Sequence, residues 1–323
     1  MNIRMRINRW TEARRTLIQD PSIRSSLIQP HFIVEGEGIN VEIESMPGIF
    51  QQSADIMVKT IASDMKLGIS NHMFFPVLAA SEKDAMASAA SSDEMPLQRV
   101  VKLLRKQFGD SIVLLSDVCL CTATTDGHCG VVHERVIDND RTLPILSEIA
   151  LSHARAGVDY VCASDMMDGR VLSLRESLER EGFTSTGIMS YSVKYASAFY
   201  GPFRDAAAST PTHGDRSSHQ MDIRSGYSEA ILEASLDVTE GADIVMIKPA
   251  LAYLDVVREV SNAIDRPVAV YNVSGEYSMV MAAAEDESSR QKMVTEIFHS
   301  FKRAGADIVV SYHTREAVSK NWF

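Results

Sequence analysis

The chain has 323 residues, 45% of them hydrophobic, and a formal net charge of −11. That is ample apolar matter for one large core, and the acidic balance argues against nucleic acid or an anionic membrane surface as the main partner. No apolar run approaches the roughly 18 residues of a membrane-spanning helix, so no membrane partner is expected.

The N-terminal stretch MNIRMRINRWTEARRTL is basic and lacks an apolar core, which argues against a secretory signal. Trp10, Leu17 and Ile18 are the anchors of a short folded arm over residues 1–30; an organellar presequence is the alternative. Residues 31–323 then form one catalytic domain, since no linker divides them. Without a signal, disulfides are not expected and a reduced cytoplasm is the default setting.

From residue 31 onward one unit repeats: a short apolar, β-branched run, then a helix-like amphipathic stretch. The runs are 31–36, 72–77, 111–120, 158–165, 187–192, 242–249, 267–274 and 306–312. Helical patterns such as LPILSEIALSHARAG (143–157), YSEAILEASLDVTEG (227–241) and ESSRQKMVTEIFHSFKRAG (287–305) lie between them and end in Ala-Gly or Glu-Gly, which suits a helix C-cap. Apolar strands alternating with helices imply a parallel sheet covered on its outer face. Eight units, with no G-x-G-x-x-G after the first strand, favour an α/β (β/α)8 TIM barrel over an open dinucleotide-binding sheet. Segment 78–96, rich in Ala and Ser, is expected as a surface loop or short helix.

In such a barrel the chemistry lies at the C-terminal strand ends. Lysine there is costly to bury, yet Lys194 follows the fifth run and Lys248 closes the sixth, on strands that should be neighbours. Each ammonium would depress the other's pKa, as would desolvation, and a neutral lysine is a nucleophile for a ketone. Solvent-reaching or phosphate-binding lysines are the plainer reading. After the third run, Cys119, Cys121 and Cys129 form C-x-C-x7-C. Three thiolates suit zinc and leave a fourth position open, as in catalytic sites. His128 is a weaker candidate because Cys129 takes the neighbouring place. Between the fifth and sixth runs, Gly201, Pro202 and Gly214 punctuate a long stretch that reads as a lid. Its Arg204 and Arg216 would suit a carboxylate, or else be solvated surface groups.

Taken together, DVCLC…GHCG, ASDMMDGRV, MSYSVKYASAFYGPFRDAA, GDRSSHQMD, EGADIVMIKPALAYLD, VSGEYSM and RAGADIVVSY resemble the porphobilinogen synthase (5-aminolevulinate dehydratase) family, from about Phe32 to Tyr312. The resemblance implies that Lys248 and Lys194 form Schiff bases with the first and second 5-aminolevulinate. It implies that Cys119, Cys121 and Cys129 hold Zn2+, with Mg2+ as an effector. It also assigns Arg204, Arg216 and Gln220 to the carboxylate of one substrate and Ser274 and Tyr312 to that of the other. Asp117, Ser164, Tyr200, Phe203 and Tyr271 fill the remaining pocket wall. A homo-octamer built from dimers, with the arm embracing a neighbour, comes from the same resemblance. The chain departs from the family pattern at TATTDGH between the second and third cysteines, at Cys162-Ala163, at Ser217, at His219 where tyrosine is usual, and in segment 78–96. A paralogue condensing another amino-ketone, a non-catalytic zinc-binding barrel and a Schiff-base aldolase are the rival readings. The intact lysine pair weakens the second and the thiolates weaken the third.

Overall fold

Eight buried strands carry the apolar runs: β1 (Leu27–Val34), β2 (Asn71–Val77), β3 (Val113–Val118), β4 (Tyr160–Ala163), β5 (Gly187–Lys194), β6 (Ile244–Lys248), β7 (Val268–Asn272) and β8 (Ile308–Ser311). The computed structural model describes residues 3–323. Each strand pairs in parallel with the next, and β8 closes on β1 through Leu27↔Val309 and Ile28↔Val310. The result is the closed (β/α)8 barrel that the alternation predicts.

The strands read as continuous apolar runs because both faces are buried. Along each one the residues divide by parity. Phe32, Phe75, Leu115, Met189, Met246, Ala269 and Val310 join one cluster inside the barrel. Leu114, Val161, Ile188, Val245, Val270 and Val309 turn outward into the two helix-facing clusters. The expected helices are present as Asn139–Ala156, Tyr227–Glu240 and Glu287–Ala304. Gly241 ends the second of these in the left-handed region, at φ 115°, which a residue with a Cβ adopts only under strain.

One irregularity positions the site. Val245 pairs with Ser190, but Ile247 pairs with Val193, so β5 carries one residue more than β6 across that step. A one-residue bulge reverses inside and outside. Tyr191 faces the interior, Val193 faces the helices, and Lys194 faces the interior again. Without the extra residue Lys194 would point into the helix layer.

Segment 78–96 forms two short 3-10 turns, Ala80–Glu82 and Ser88–Ser91, joined by irregular chain. At the other end of the barrel, residues 3–26 fold against the strand starts. Ile7 and Leu17 are buried among the interior residues. Arg14 donates to Asp159 at 2.9 Å and to the Ser185 carbonyl at 2.8 Å, and the Tyr160 hydroxyl donates to Asn8 at 3.0 Å. Strand β1 begins at Leu27, inside the stretch read as an arm, so that stretch carries part of the barrel's first strand as well.

Candidate active site

Lys194 and Lys248 are Cα partners at the ends of β5 and β6, and each is 5% exposed. The Lys194 ammonium donates to the Ser164 carbonyl. The Lys248 ammonium stands over aromatic faces, 4.4 Å from the Tyr271 ring centre, 4.8 Å from Phe203, and 5.2 Å from both Tyr191 and Tyr200. Burial among these rings, and then the positive charge of Lys194, bring Lys248 down to about 7, while Asp117 pulls the other way. Asp117 itself is raised by burial, against the Ser164 hydroxyl and the two lysines. The shift favours the neutral amine, the form in which a lysine attacks a carbonyl.

The pocket wall forms around this pair. Tyr271 and Tyr312 share a hydroxyl–hydroxyl bond of 3.0 Å. The Tyr200 hydroxyl donates to the Lys248 carbonyl at 3.0 Å. Ser274 Oγ accepts from the Phe203 amide at 2.9 Å. Ser274 thus ties the lid to the end of β7, a positioning contact that sequence reasoning did not assign to it. Gly275 allows the tie, since a Cβ there would stand 2.6 Å from the Phe199 carbonyl oxygen.

The stretch after β5 does lie over the mouth. It includes the turn Ala198–Tyr200 and the helix Gly201–Ala206. Arg216 is 5% exposed, so the solvated reading fails for it. It donates to the Gly127 carbonyl at 3.0 Å and the Ser209 carbonyl at 2.7 Å. Its guanidinium therefore joins the lid to the cysteine loop. Arg204 is half-buried, and burial followed by repulsion from Arg216 lowers its pKa. Gln220 is 3% exposed, and both ends of its amide lack a hydrogen-bond partner among the described residues. A buried amide with nothing to bond is costly.

The cysteine loop leaves β3 and folds back under the lid. Gly127, at φ 72°, lies so close to the lid that a Cβ would stand 2.6 Å from the Thr210 carbonyl oxygen. The Cys119, Cys121 and Cys129 sulfurs all lie within 4.8 Å of one another, are buried, and form no disulfide. Hydrogen bonds with Cys121 and Cys129, and then burial, push the Cys119 thiol well above its usual range. Hydrogen bonds from Cys119 and Cys121 hold Cys129 well below. Three buried sulfurs this close together form a donor set that a soft dication fits, because it lets all three ionise. His128 turns away from them, its Nε2 lying 2.9 Å from the His213 carbonyl oxygen.

The family model for delta-aminolevulinic acid dehydratase matches residues 2–320. The chain belongs to that family. The delta-aminolevulinic acid dehydratase of Methanothermobacter thermautotrophicus is 47% identical over 96% of this chain and 94% of its own length. That of Bacillus subtilis is 43% identical over 96% and 95%. The crystal structure of the enzyme from Toxoplasma gondii, in complex with its product porphobilinogen, superimposes with a TM-score of 0.89 at 43% identity. That match covers 99% of this chain and 92% of the other.

Two residues of this family member were not singled out from the sequence. Tyr191 lies beneath both ammonium groups, 5.7 Å from Lys194 and 5.2 Å from Lys248. The bulge in β5 hid it, because simple alternation puts Tyr191 and Lys194 on opposite faces. Glu276 is 1% exposed and accepts from the Leu251 amide at 2.8 Å, the Asn272 side chain at 2.9 Å and the Val273 amide at 3.0 Å. It braces the turn after Lys248 against the end of β7. The signal available was a lone acid in an apolar strand-end motif, VSGEYSM.

Proposed function

We propose that the protein condenses two 5-aminolevulinate molecules into porphobilinogen with loss of two waters. The observation that carries this reading is the paired, buried lysines, with Lys248 held near 7 in an aromatic mouth. The neutral Lys248 amine adds to the ketone of the first substrate and expels water, leaving an imine. Lys194 holds the second substrate in the same way. The two covalent links replace a bimolecular encounter by a local one: the enamine carbon of the second substrate adds to the imine carbon on Lys248, the amine of the first adds to the imine carbon on Lys194, and both lysine amines then leave as the ring closes and loses a proton, so that the two waters expelled in forming the imines are the only ones lost. Tyr271, Tyr200, Phe203 and Tyr191 exclude water, and their ring faces attract the positive charge of a protonated imine. Asp117, beside both lysines, is placed to move protons between the amines and their adducts. Arg204, Arg216 and Gln220 face one substrate carboxylate, with Ser274 and Tyr312 on the side of the other.

Cys119, Cys121 and Cys129 would hold Zn2+, which would supply Lewis acidity beside the second substrate. Tetrapyrrole (heme) biosynthesis, the homo-octamer built from dimers, the cytoplasmic setting and Mg2+ as an effector are supported by the family resemblance. No helix among the described residues is long and apolar enough to cross a membrane. Supplying the zinc-loaded protein with 5-aminolevulinate and identifying the product by mass tests the reading. Porphobilinogen is the expected product. A different condensation product would indicate a paralogue, and unchanged substrate would overturn the proposal.

A further inference from the structure

The lid contains a helix too short to hold itself. Gly201–Ala206 has six residues, far below the roughly 12–15 that an isolated helix needs in water, so contacts outside the helix set its position. That position matters, because Phe203 stands 4.8 Å from the Lys248 ammonium and Arg204 follows it. On one side Tyr200, Phe203, Ala206 and Ala207 pack into the barrel interior. The C-terminal end is held differently. The last carbonyls of a helix lack partners within it, and three carbonyls at and just past this end accept from side chains of three separate segments. Gln51 Nε2 donates to the Ala206 carbonyl at 2.7 Å, the Lys83 ammonium to the Ala208 carbonyl at 2.6 Å, and Arg216 to the Ser209 carbonyl at 2.7 Å.

Arg216 already has a place in the site, whereas Gln51 and Lys83 have none. Each of these two comes from a segment that is itself anchored. Gln51 belongs to the short strand Phe50–Gln52, which runs in register with the end of β1 through Phe32↔Gln51. Lys83 precedes Asp84, which bridges to Thr124 of the cysteine loop. The Asp84 amide donates to the Ala123 carbonyl at 3.3 Å, and its carbonyl accepts from the Thr125 amide at 3.3 Å. The residue whose carbonyl Lys83 holds, Ala208, lies at φ 47°. That left-handed conformation is unfavourable for a residue with a Cβ and persists where surrounding contacts impose it.

We propose that Gln51 and Lys83 are positioning residues for the condensation: they latch the end of the lid helix and so hold Phe203 and Arg204 over Lys248. The inference rests on the double-lysine reading given above. It gives segment 78–96 a role, since that segment carries the latch lysine and ties the lid to the cysteine loop. The competing reading is a pair of ordinary surface hydrogen bonds, because both side chains are only half-buried. That reading leaves the kinetics untouched.

Peptide-resolved hydrogen–deuterium exchange of the zinc-loaded protein, beside steady-state kinetics with 5-aminolevulinate, tests the inference in Gln51→Leu, Lys83→Met and the double variant. Amides of 203–212 should exchange about fivefold faster or more for each bond lost, while strand amides keep the parent rates. In the double variant KM should rise about threefold or more with kcat within about twofold, because bound substrate draws the lid shut again. Lys83→Arg, which keeps a charged donor, should restore both readouts. Parent-like exchange over 203–212 overturns the latch. Faster exchange with an unchanged KM, or faster exchange spread across the barrel, overturns the positioning role. A parent protein that leaves 5-aminolevulinate unchanged overturns the condensation reading, and the exchange rates then decide the latch by themselves.

Discussion

Lys248 bears the cost of the site's chemistry. Its folded-state value is about 7, against 10.5 for an ordinary lysine. Below about pH 7 both folded and unfolded chains hold the proton, and the folded chain bears the whole penalty of a buried ammonium. As pH rises from about 7 to about 10.5 the folded chain has released the proton, the unfolded chain has not, and the penalty fades. Lys248→Met should therefore abolish turnover yet melt above the parent protein near neutral pH, with the gap closing toward pH 10 in a thermal series. A variant that melts lower at every pH would show that the lysine is not strained. Among the cysteines, Cys119→Ser should lose bound zinc and turnover together. Cys162→Ala should keep both, because Cys162 lies among interior residues outside the cluster, and should lose only about 1 kcal/mol of stability. Metal analysis and a denaturant titration separate the two cases. The lysines and cysteines were legible in the sequence because their chemistry is unusual at strand ends. Tyr191 was not, because its orientation depends on the bulge in β5.

Among the elements, the lid and the cysteine loop form a joined unit. Arg216 is the joint, through the Gly127 and Ser209 carbonyls. Arg216→Ala would strand two buried acceptors and should cost about 1–3 kcal/mol of stability, weakening both zinc binding and substrate affinity. Arg204→Ala, at a half-buried position, should raise KM with little effect on unfolding. Steady-state kinetics beside denaturant curves distinguish the two, and equal, purely kinetic losses in both variants would contradict the joint. The sequence marked the lid by its Gly and Pro punctuation. It could not mark the joint, since an arginine donating to backbone carbonyls leaves no pattern at the acceptor positions. Glu276 escaped for a similar reason, because its partners are mostly amides whose direction is set only when β6 and β7 lie side by side.

For the whole molecule, the alternation of apolar runs and amphipathic stretches was sufficient to read the barrel, because a parallel closed sheet buries every strand on both faces. The fit of residues 3–26 to the barrel's lower end was not legible, since it depends on isolated contacts such as Ile7 under β5 and the bond from Arg14 to Asp159. Asp159 also accepts from Arg105 at 2.6 Å and from the Leu114 amide at 2.8 Å. Asp159→Ala should leave two arginines short of a partner and cost roughly 3–5 kcal/mol, read as a lowered denaturant midpoint with the lysine chemistry intact below it. Reduction with borohydride in the presence of 5-aminolevulinate, followed by peptide mass mapping across pH, tests that chemistry. A covalent adduct on Lys248 is expected, its yield rising with a midpoint near 7. In Lys194→Met the midpoint should move to higher pH, because the neighbouring positive charge is gone. An unlabelled Lys248, together with a Lys248→Met variant that still turns over at the parent rate, would contradict it.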